Sequence, residues 1–226
     1  MAEALKEKRE GLSAIAYNQI KTMILEKEFT PGQFINEAQL QELLGLGRTP
    51  VREAVLALAR DQLVTVHPRK GIEVAAISPK AVHDIFEVRS ILEPIALQKC
   101  IHIIDLPWAL EMRAIFVQHA GDVPSNSPQA AVTLADLDNQ FHLELLNALH
   151  NQYANQLMRS FVDYLTLIRS TVTTHDYSRF QASNREHIAI LDAILEQDAQ
   201  TASQRMSDHI QLSYQEAINA MMHTAF

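Results

Sequence analysis

The sequence predicts a mainly α-helical protein of two domains. Residues 1–75 are expected to form a small helical module with a β-hairpin, and residues 76–226 an all-α antiparallel bundle of about six helices. The length of 226 residues exceeds that of an average domain and favours two. Apolar residues recur at helical spacing along most of the chain, whereas strand-like patterns are confined to the first 75 residues.

The composition excludes several classes of protein. Only 6 glycines and 8 prolines argue against a collagen-like or low-complexity chain. No apolar run approaches the roughly 20 residues needed to span a bilayer, and residues 1–10 lack the apolar stretch of a signal peptide. Cys100 is the only cysteine, so no disulfide can form within the chain. We therefore expect a cytoplasmic protein that has no membrane partner.

Charge is divided unevenly between the two predicted domains. The net charge is −8, yet residues 1–75 hold ten basic and ten acidic side chains, so the excess acid lies in residues 76–226. Residues 43–71 contain five basic and two acidic side chains. A local field of this sign can steer a polyanion to that stretch despite the acidic whole.

The first part of residues 1–75 predicts two helices. A helix is expected over 13–27 and is ended by the turn residues Thr30 to Gly32. The apolar pair 34–35 is too short to predict a strand and is expected to pack the turn against the helices. A second helix is predicted over 37–44, with Asn36 as its N-cap.

The remainder of the module predicts a tight turn, a third helix and a hairpin. Gly45 to Gly47 form the turn, and the third helix begins with Thr49 as N-cap and Pro50 at the first helical position. Two short strands follow over 63–67 and 72–74. Helix, helix, turn, helix and hairpin in this order predict a winged helix-turn-helix.

Basic side chains lie where such a module would meet DNA. Arg48 and Arg52 are four residues apart at the start of the third helix, where free backbone N–H groups also favour phosphate. Recognition helices contact base edges with their N-terminal residues, and an arginine bound to guanine gives about 1–3 kcal/mol of discrimination. Arg69 and Lys70 at the hairpin tip could reach the DNA backbone or minor groove. The alternative is an ordinary solvated helix start.

The stretch TPGQFINEAQLQELLGLGRTPVREAVLALARDQLVTVHPRKGIEV, residues 30–74, resembles the GntR family of bacterial regulators. This resemblance implies that Arg48, Thr49 and Arg52 contact operator DNA. It also implies that Gly71 lets the wing approach the DNA.

The second domain predicts helices only. Ser78-Pro79 and Ser127-Pro128 are typical helix starts, and residues 121–128 predict a loop. The predicted helices cover about 79–102, 106–120, 128–150, 152–174, 178–197 and 199–223.

Four side chains of this domain are candidate metal ligands. Asp138 and His142 are four apart and share a helix face, while His187 and His209 come from the last two helices. Each adjoins an apolar helix face that should point inward. One carboxylate and three neutral imidazoles suit a divalent transition metal. Spacing alone leaves open that the histidines are hydrogen-bonded core residues.

Three stretches, FEVRSILEPIAL, DLDNQFHLELLNALHN and REHIAILDAILEQDAQTASQRMSDHI, resemble the FCD ligand-binding domain of the FadR subfamily. The number of predicted helices is similar to that of its VanR-type branch. In metal-binding members of this family, one aspartate and three histidines hold the ion at the positions of Asp138, His142, His187 and His209. The resemblance implies zinc first, with nickel and manganese as alternatives.

The same resemblance implies a small organic carboxylate as effector, bound beside the metal. Arg89 is the candidate for binding it, because a buried guanidinium needs an anionic partner and its fork fits a carboxylate. The alternative is a salt bridge within the bundle. Asn184, one turn before His187, could donate to the effector or to a water on the metal.

These observations together predict a DNA-binding transcriptional repressor. We expect a homodimer on an inverted-repeat operator, because two-fold symmetry in the protein matches a palindrome in the DNA. Two alternatives remain: a metal-dependent enzyme built on the bundle, and a sensor of the metal itself. The enzyme is not expected, because no further carboxylate stands out as a general base and the DNA-binding module would have no role.

Overall fold

The structure, a computed structural model, describes the backbone of residues 2–120, 128–173 and 177–224, and the side chains of 11–120, 135–169 and 181–222. Most of the loop expected at 121–128 lies outside these residues. The chain divides into two compact units, Met1–Ile77 and Ser78–Phe226. No helix of the described residues has the length and apolarity needed to cross a membrane.

The first unit contains three helices and three short strands. Its buried core includes Ile20 and Ile24 of the first helix and Val51, Val55 and Leu58 of the third. The elements are α1 (Ala2–Leu25), β1 (Phe34–Ile35), α2 (Glu37–Leu44), α3 (Arg48–Arg60), β2 (Val64–His67) and β3 (Gly71–Val74).

Helix α2 has the predicted N-cap. The Asn36 side chain accepts a hydrogen bond from the Gln39 backbone N–H at 2.8 Å, and the Gln39 side chain accepts one from the Asn36 backbone N–H at 3.0 Å. This reciprocal pair is a capping box. At the other end Gly45 adopts a left-handed conformation and satisfies carbonyl groups of the last turn. Local signals therefore define both ends of α2.

The predicted N-cap of α3 is wrong. The helix begins at Arg48, so its N-cap is Gly47, which has extended backbone angles and offers no side-chain hydrogen bond. Thr49 lies within the first turn, and Pro50 occupies the third helical position. Proline is tolerated there because the first backbone N–H groups of a helix have no intrahelical partner. The first turn of α3 therefore has no capping side chain.

The expectation that residues 34–35 form no strand is also wrong. The sheet order is β1-β3-β2, and Phe34 and Ile35 pair antiparallel with Glu73 and Ile72 of β3. Ile35 points into the core with 5% exposure, whereas Phe34 is 48% exposed. Pairing with a distant strand, rather than local propensity, creates this two-residue strand.

The described residues of the second unit form the six helices that were expected and no strand. Helix α4 packs against α9 and α6, α5 against α8, α6 against α7, and α8 against α9. The helices are α4 (Pro79–Cys100), α5 (Leu106–His119), α6 (Pro128–Asn147), α7 (Gln152–Thr173), α8 (Tyr177–Leu195) and α9 (Ala199–Thr224).

Polar side chains are concentrated in the core of this second unit. Burying polar or charged groups is costly unless they are paired, so such a concentration indicates a functional centre. The buried polar side chains are Arg89, Glu93, Asp138, Asn139, His142, Thr166, Asn184, His187, Ser203 and His209.

Candidate functional site

The start of α3 presents the residues expected to contact DNA. Arg48, Thr49 and Arg52 are all exposed. The Arg48 side chain is 73% exposed, and its Nε lies 3.7 Å from Glu37 Oε2, a long ion pair that leaves it able to reorient. The uncapped first turn adds backbone N–H groups that can bind an anion. This surface can therefore receive a phosphate or a base edge.

The hairpin tip is a second exposed basic surface. Arg69 and Lys70 are exposed in the turn between β2 and β3, and Arg69 has a left-handed φ of 67°. Gly71 follows with φ of 112°, and a Cβ placed there would lie 2.8 Å from the Ile35 carbonyl oxygen. The packing of β1 on β3 thus requires a glycine here. An approach of the wing to DNA at Gly71 stays a prediction.

The four candidate metal ligands converge in the second unit. Asp138 and His142 come from α6, His187 from α8 and His209 from α9, and one ligand atom of each lies within 4.8 Å of the others. The histidines are at most 1% exposed and Asp138 is 6% exposed. Ligand atoms about 2.0–2.2 Å from one metal are up to about 4.4 Å apart, so a small contraction would close the site.

In two of these imidazoles, the Nδ1 atom is hydrogen-bonded to a carboxylate. Glu93 Oε2 hydrogen-bonds His142 Nδ1, and Glu186 Oε2 lies 2.7 Å from His209 Nδ1. The Nε2 atoms of His142, His187 and His209 have no hydrogen-bond partner among the described residues. An unpaired buried polar atom costs about 1–3 kcal/mol. Three such nitrogens beside a carboxylate fit a divalent transition metal.

His187 is held by aromatic contacts instead. Its ring stacks on Phe116 at a centroid distance of 4.6 Å and meets the edge of Phe141 at 4.7 Å. Its Nδ1 also lacks a hydrogen-bond partner among the described residues. Packing therefore sets the ring plane of His187 without selecting its tautomer.

Burial keeps two of the imidazoles neutral. It lowers the pKa of His142 well below its usual range, and the Arg89 cation lowers that pKa further. Burial likewise lowers the pKa of His187, with further lowering by His209 and His142. Neutral imidazole is the form that binds a metal, so both side chains are ready to act as ligands near pH 7.

Asp138 is close to both imidazoles and to a cation. Its carboxylate oxygens lie 3.5 Å from His142 Nε2 and 3.4 Å from His187 Nε2. Arg169 on α7 forms an ion pair with Asp138 and donates to Asn139 Oδ1 at 2.9 Å. Burial lowers the pKa of Arg169 to about 10, so this guanidinium stays charged at neutral pH.

Arg89 forms the salt bridge that was the alternative to effector binding, and its binding of an effector stays a prediction. It is fully buried, and its Nε donates to Glu93 Oε1 at 2.6 Å, which is a salt bridge within the bundle. Its two terminal nitrogens have no hydrogen-bond partner among the described residues. The guanidinium also lies over the Phe86 ring, 5.2 Å from its centroid. One edge of Arg89 is therefore engaged, and the other can bind an anion.

The structure places Asn184 in a buried position on α8. Its Nδ2 donates to the backbone carbonyl of His119 at 3.1 Å. This bond uses one of its two amide hydrogens. A contact with an effector or a metal-bound water stays a prediction.

Two family descriptions cover most of the chain. Residues 12–74 match "Bacterial regulatory proteins, gntR family" and residues 84–212 match "FCD domain". The chain belongs to the GntR family and carries an FCD domain. It is therefore a transcriptional regulator and not an enzyme.

Two relatives match this GntR-family regulator along most of both chains. It is 28% identical over 193 residues to the uncharacterized HTH-type transcriptional regulator YdhC of Bacillus subtilis, which is 85% of each chain. It is 24% identical over 200 residues to the HTH-type transcriptional repressor GlaR of Escherichia coli, which is 86% of this chain and 90% of GlaR.

Solved structures share the fold of this GntR-family regulator. A GntR transcriptional regulator from Rhodococcus sp. RHA1 has a TM-score of 0.73 and 18% identity, covering 92% of this chain and 97% of that one. A metal-free FCD domain of another transcriptional regulator has a TM-score of 0.54 and 21% identity, covering 66% of this chain and 99% of that one.

Sequence reasoning on this GntR-family chain missed three residues of the centre. Glu93 lies four residues after Arg89, a spacing that predicts an ion pair on a helix. Glu186 directly precedes His187, yet it contacts His209. Arg169 comes from a helix with no predicted ligand, so no local pattern indicates it.

Proposed function

We propose that this regulator is a repressor whose operator binding is controlled by a small organic carboxylate bound beside a divalent metal. The observation that supports it best is the convergence of four buried ligand residues, one ligand atom of each lying within 4.8 Å of the others. The Nε2 atoms of its three histidines also have no hydrogen-bond partner among the described residues. GlaR, one of the relatives, is described as a repressor. The proposed form is a homodimer on an inverted-repeat operator.

The proposed metal ligands are Asp138, His142, His187 and His209. A set rich in imidazole favours zinc, with nickel or manganese as alternatives, over the oxygen-binding calcium and magnesium. The metal would supply a Lewis acid with open positions for a carboxylate oxygen. Glu93 and Glu186 would keep the Nε2 lone pairs of two ligands directed at it.

The proposed effector site uses the unengaged edge of Arg89. Its two terminal nitrogens match the two oxygens of a carboxylate, and burial strengthens a charge-assisted bond. The second amide hydrogen of Asn184 is the proposed further donor. A fully buried guanidinium with two unbonded terminal nitrogens favours an anionic effector over a cationic one.

The proposed DNA contacts come from the two basic surfaces of the first unit. Exposed side chains at the start of α3 would read base edges, and the hairpin tip would contact the backbone or minor groove. The proposed contact residues are Arg48, Thr49, Arg52, Arg69, Lys70 and Gly71.

Control of the operator requires differential affinity. The effector must bind one arrangement of the dimer more tightly than the other, and a shift from 1:99 to 99:1 needs about 5.5 kcal/mol. Release of DNA on effector binding is the proposed direction.

The experiment begins with operator selection from random DNA by the wild-type protein. Affinity for the selected DNA is then measured by fluorescence anisotropy with chelator-treated and zinc-loaded protein, each against a panel of small carboxylates. We expect a palindromic site, and at least one carboxylate that weakens binding only when zinc is present. Zinc-loaded protein indifferent to every carboxylate would contradict the proposal. DNA binding switched by zinc alone would instead establish a metal sensor.

A further inference from the structure

One buried carboxylate joins the two proposed ligand sites. Glu93 accepts from Arg89 Nε through Oε1 at 2.6 Å and from His142 Nδ1 through Oε2. All three side chains are at most 1% exposed. Beyond these bonds, the terminal nitrogens of Arg89 and the Nε2 of His142 have no hydrogen-bond partner among the described residues. The terminal nitrogens of Arg89 are the atoms proposed to bind the anion, and His142 Nε2 is the atom proposed to bind the metal.

We infer that Glu93 is a positioning residue shared by both sites, and that it makes metal and anion bind cooperatively. This inference rests on the proposed function. Glu93 holds His142 in the Nδ1–H tautomer, which directs the Nε2 lone pair at the metal. It also holds the plane of Arg89 so that both terminal nitrogens face the anion.

Only a carboxylate can do both. Arginine always donates, so Oε1 must accept; His142 can then donate only if Oε2 also accepts. Glutamine has one acceptor oxygen, and the charge-assisted bond to Arg89 is the stronger competitor for it. The glutamine NH₂ would then face His142 Nδ1 and force the ring proton onto Nε2. In Glu93→Gln the metal-binding nitrogen therefore carries a proton that the metal must displace, which weakens metal binding.

Cooperativity follows from the shared oxygen pair. A cation at Nε2 makes the Nδ1–H of His142 a stronger donor to Glu93, which fixes the carboxylate and with it Arg89. An anion on Arg89 fixes the same carboxylate from the other side. Each ligand therefore reduces the ordering cost of the other, and the coupling is reciprocal.

Glu186 provides a matched control within the same centre. It accepts from His209 Nδ1 at 2.7 Å, as Glu93 does from His142. Arg89 donates its Nε to Glu93, and its terminal nitrogens bond no described residue, so Glu186 is not hydrogen-bonded to Arg89. Glu186→Gln should weaken metal binding without altering the effect that the anion has on metal affinity.

The first test reads the tautomers directly in the metal-free full-length protein. Long-range ¹⁵N–¹H spectra of ¹⁵N-histidine protein distinguish Nδ1–H from Nε2–H rings. We expect Nδ1–H at both His142 and His209 in the wild type. In Glu93→Gln the proton of His142 should move to Nε2 while His209 keeps its tautomer, and Glu186→Gln should leave the tautomer of His142 unchanged. A wild-type His142 protonated on Nε2 would overturn the inference, even if neither variant folds.

The second test measures Co²⁺ affinity with and without acetate as the probe anion. We expect acetate to tighten Co²⁺ binding about 5-fold or more in the wild type. Each glutamine variant should weaken Co²⁺ binding about 10- to 100-fold. The acetate ratio should fall in Glu93→Gln, where only direct coordination of acetate by the metal is left to couple the two ligands, and should keep its wild-type value in Glu186→Gln.

The outcomes separate the inference from the proposed function. A wild type that binds no Co²⁺, or binds it equally after Asp138→Ala, would remove the metal centre and both proposals with it. Co²⁺ binding without any acetate effect, or an acetate ratio that keeps its wild-type value in Glu93→Gln, would overturn the inference alone.

Discussion

Gly71 and the carbonyl oxygen of Ile35 are so close that a Cβ on Gly71 would lie 2.8 Å from that oxygen. The contact arises because β1 pairs with β3 next to this point, where Ile35 faces Ile72. Gly71 also has φ of 112°, which an L side chain rarely adopts. Any residue with a side chain at position 71 would therefore suffer both backbone strain and steric overlap with β1.

Gly71→Ala should destabilise the sheet by about 1–3 kcal/mol, because a residue with a Cβ pays for both the backbone angle and the displaced strand. Hydrogen exchange of peptides covering β2 and β3 in the full chain measures this free energy. Gly11→Ala is the control: Gly11 is helical with nothing within 4 Å of its Cβ position, so alanine should be neutral or stabilising. Unchanged exchange in Gly71→Ala would refute the steric argument.

Arg52→Ala should weaken operator binding about 5- to 150-fold and relax base preference at one position in each half-site, because a bidentate base contact is worth about 1–3 kcal/mol. Anisotropy with the selected operator and single-base variants of it measures both effects. Arg60→Ala, an exposed position in the last turn of the same helix, should bind normally. Full affinity of Arg52→Ala at moderate salt would remove its assigned role.

Local sequence signals account for most of the helices. Asn36 caps α2 with its side chain, and Ser78 caps α4 by accepting from the Ala81 backbone N–H at 3.4 Å. These signals act over three residues and are visible in one sequence. The strand β1 was not predictable, because its two residues are ordered by β3, which lies more than 30 residues later.

The candidate metal ligands could be predicted from the sequence, whereas their carboxylate partners could not. Asp138 and His142 could be singled out because four-residue spacing places them on one helix face beside apolar residues. The bond between Glu93 and His142 joins residues 49 apart on different helices, so only the packing of α4 on α6 reveals it. Helical periodicity indicates which face is buried, but not which buried groups meet.

His187→Ala should lower metal content and melting temperature together. A ligand that binds only the native state stabilises it, by about 4.1 kcal/mol at a free concentration 1,000 times its Kd. Elemental analysis and thermal unfolding of zinc-loaded protein measure the two effects. Chelator should remove most of the zinc-dependent difference from wild type. Stoichiometric zinc retained by the variant would exclude His187 from the site.

Arg89→Lys should keep the metal but lose most of the effector response. Lysine preserves a cation beside Glu93, whereas it removes the pair of terminal nitrogens that fits a carboxylate. Alanine is a poorer test, since an unpaired buried Glu93 would cost about 3–5 kcal/mol. Zinc content and carboxylate-induced operator release are measured side by side. As a control, Arg113→Lys alters the Arg113–Asp192 pair of the same unit and should leave zinc content and operator release unchanged. A normal effector response in Arg89→Lys would confine Arg89 to a structural role.

The metal-free protein should lose stability as the pH falls below about 6.5. Burial lowers the pKa of His142 and His187 in the native state, whereas both imidazoles in the unfolded chain take up protons near pH 6.5. The unfolded state then binds more protons, so the free energy of unfolding decreases as the pH falls. Two such groups give a slope of up to about 2.7 kcal/mol per pH unit.

Urea midpoints of chelator-treated protein between about pH 7.5 and about pH 5 measure this slope. His102→Gln replaces an exposed histidine and should leave it unchanged. His187→Phe should reduce it by about half, because one of the two neutral buried imidazoles is then absent in both states. A flat profile in the wild type would mean that the buried imidazoles take up protons over the same pH range as those of the unfolded chain, which would contradict the lowered pKa of His142 and His187.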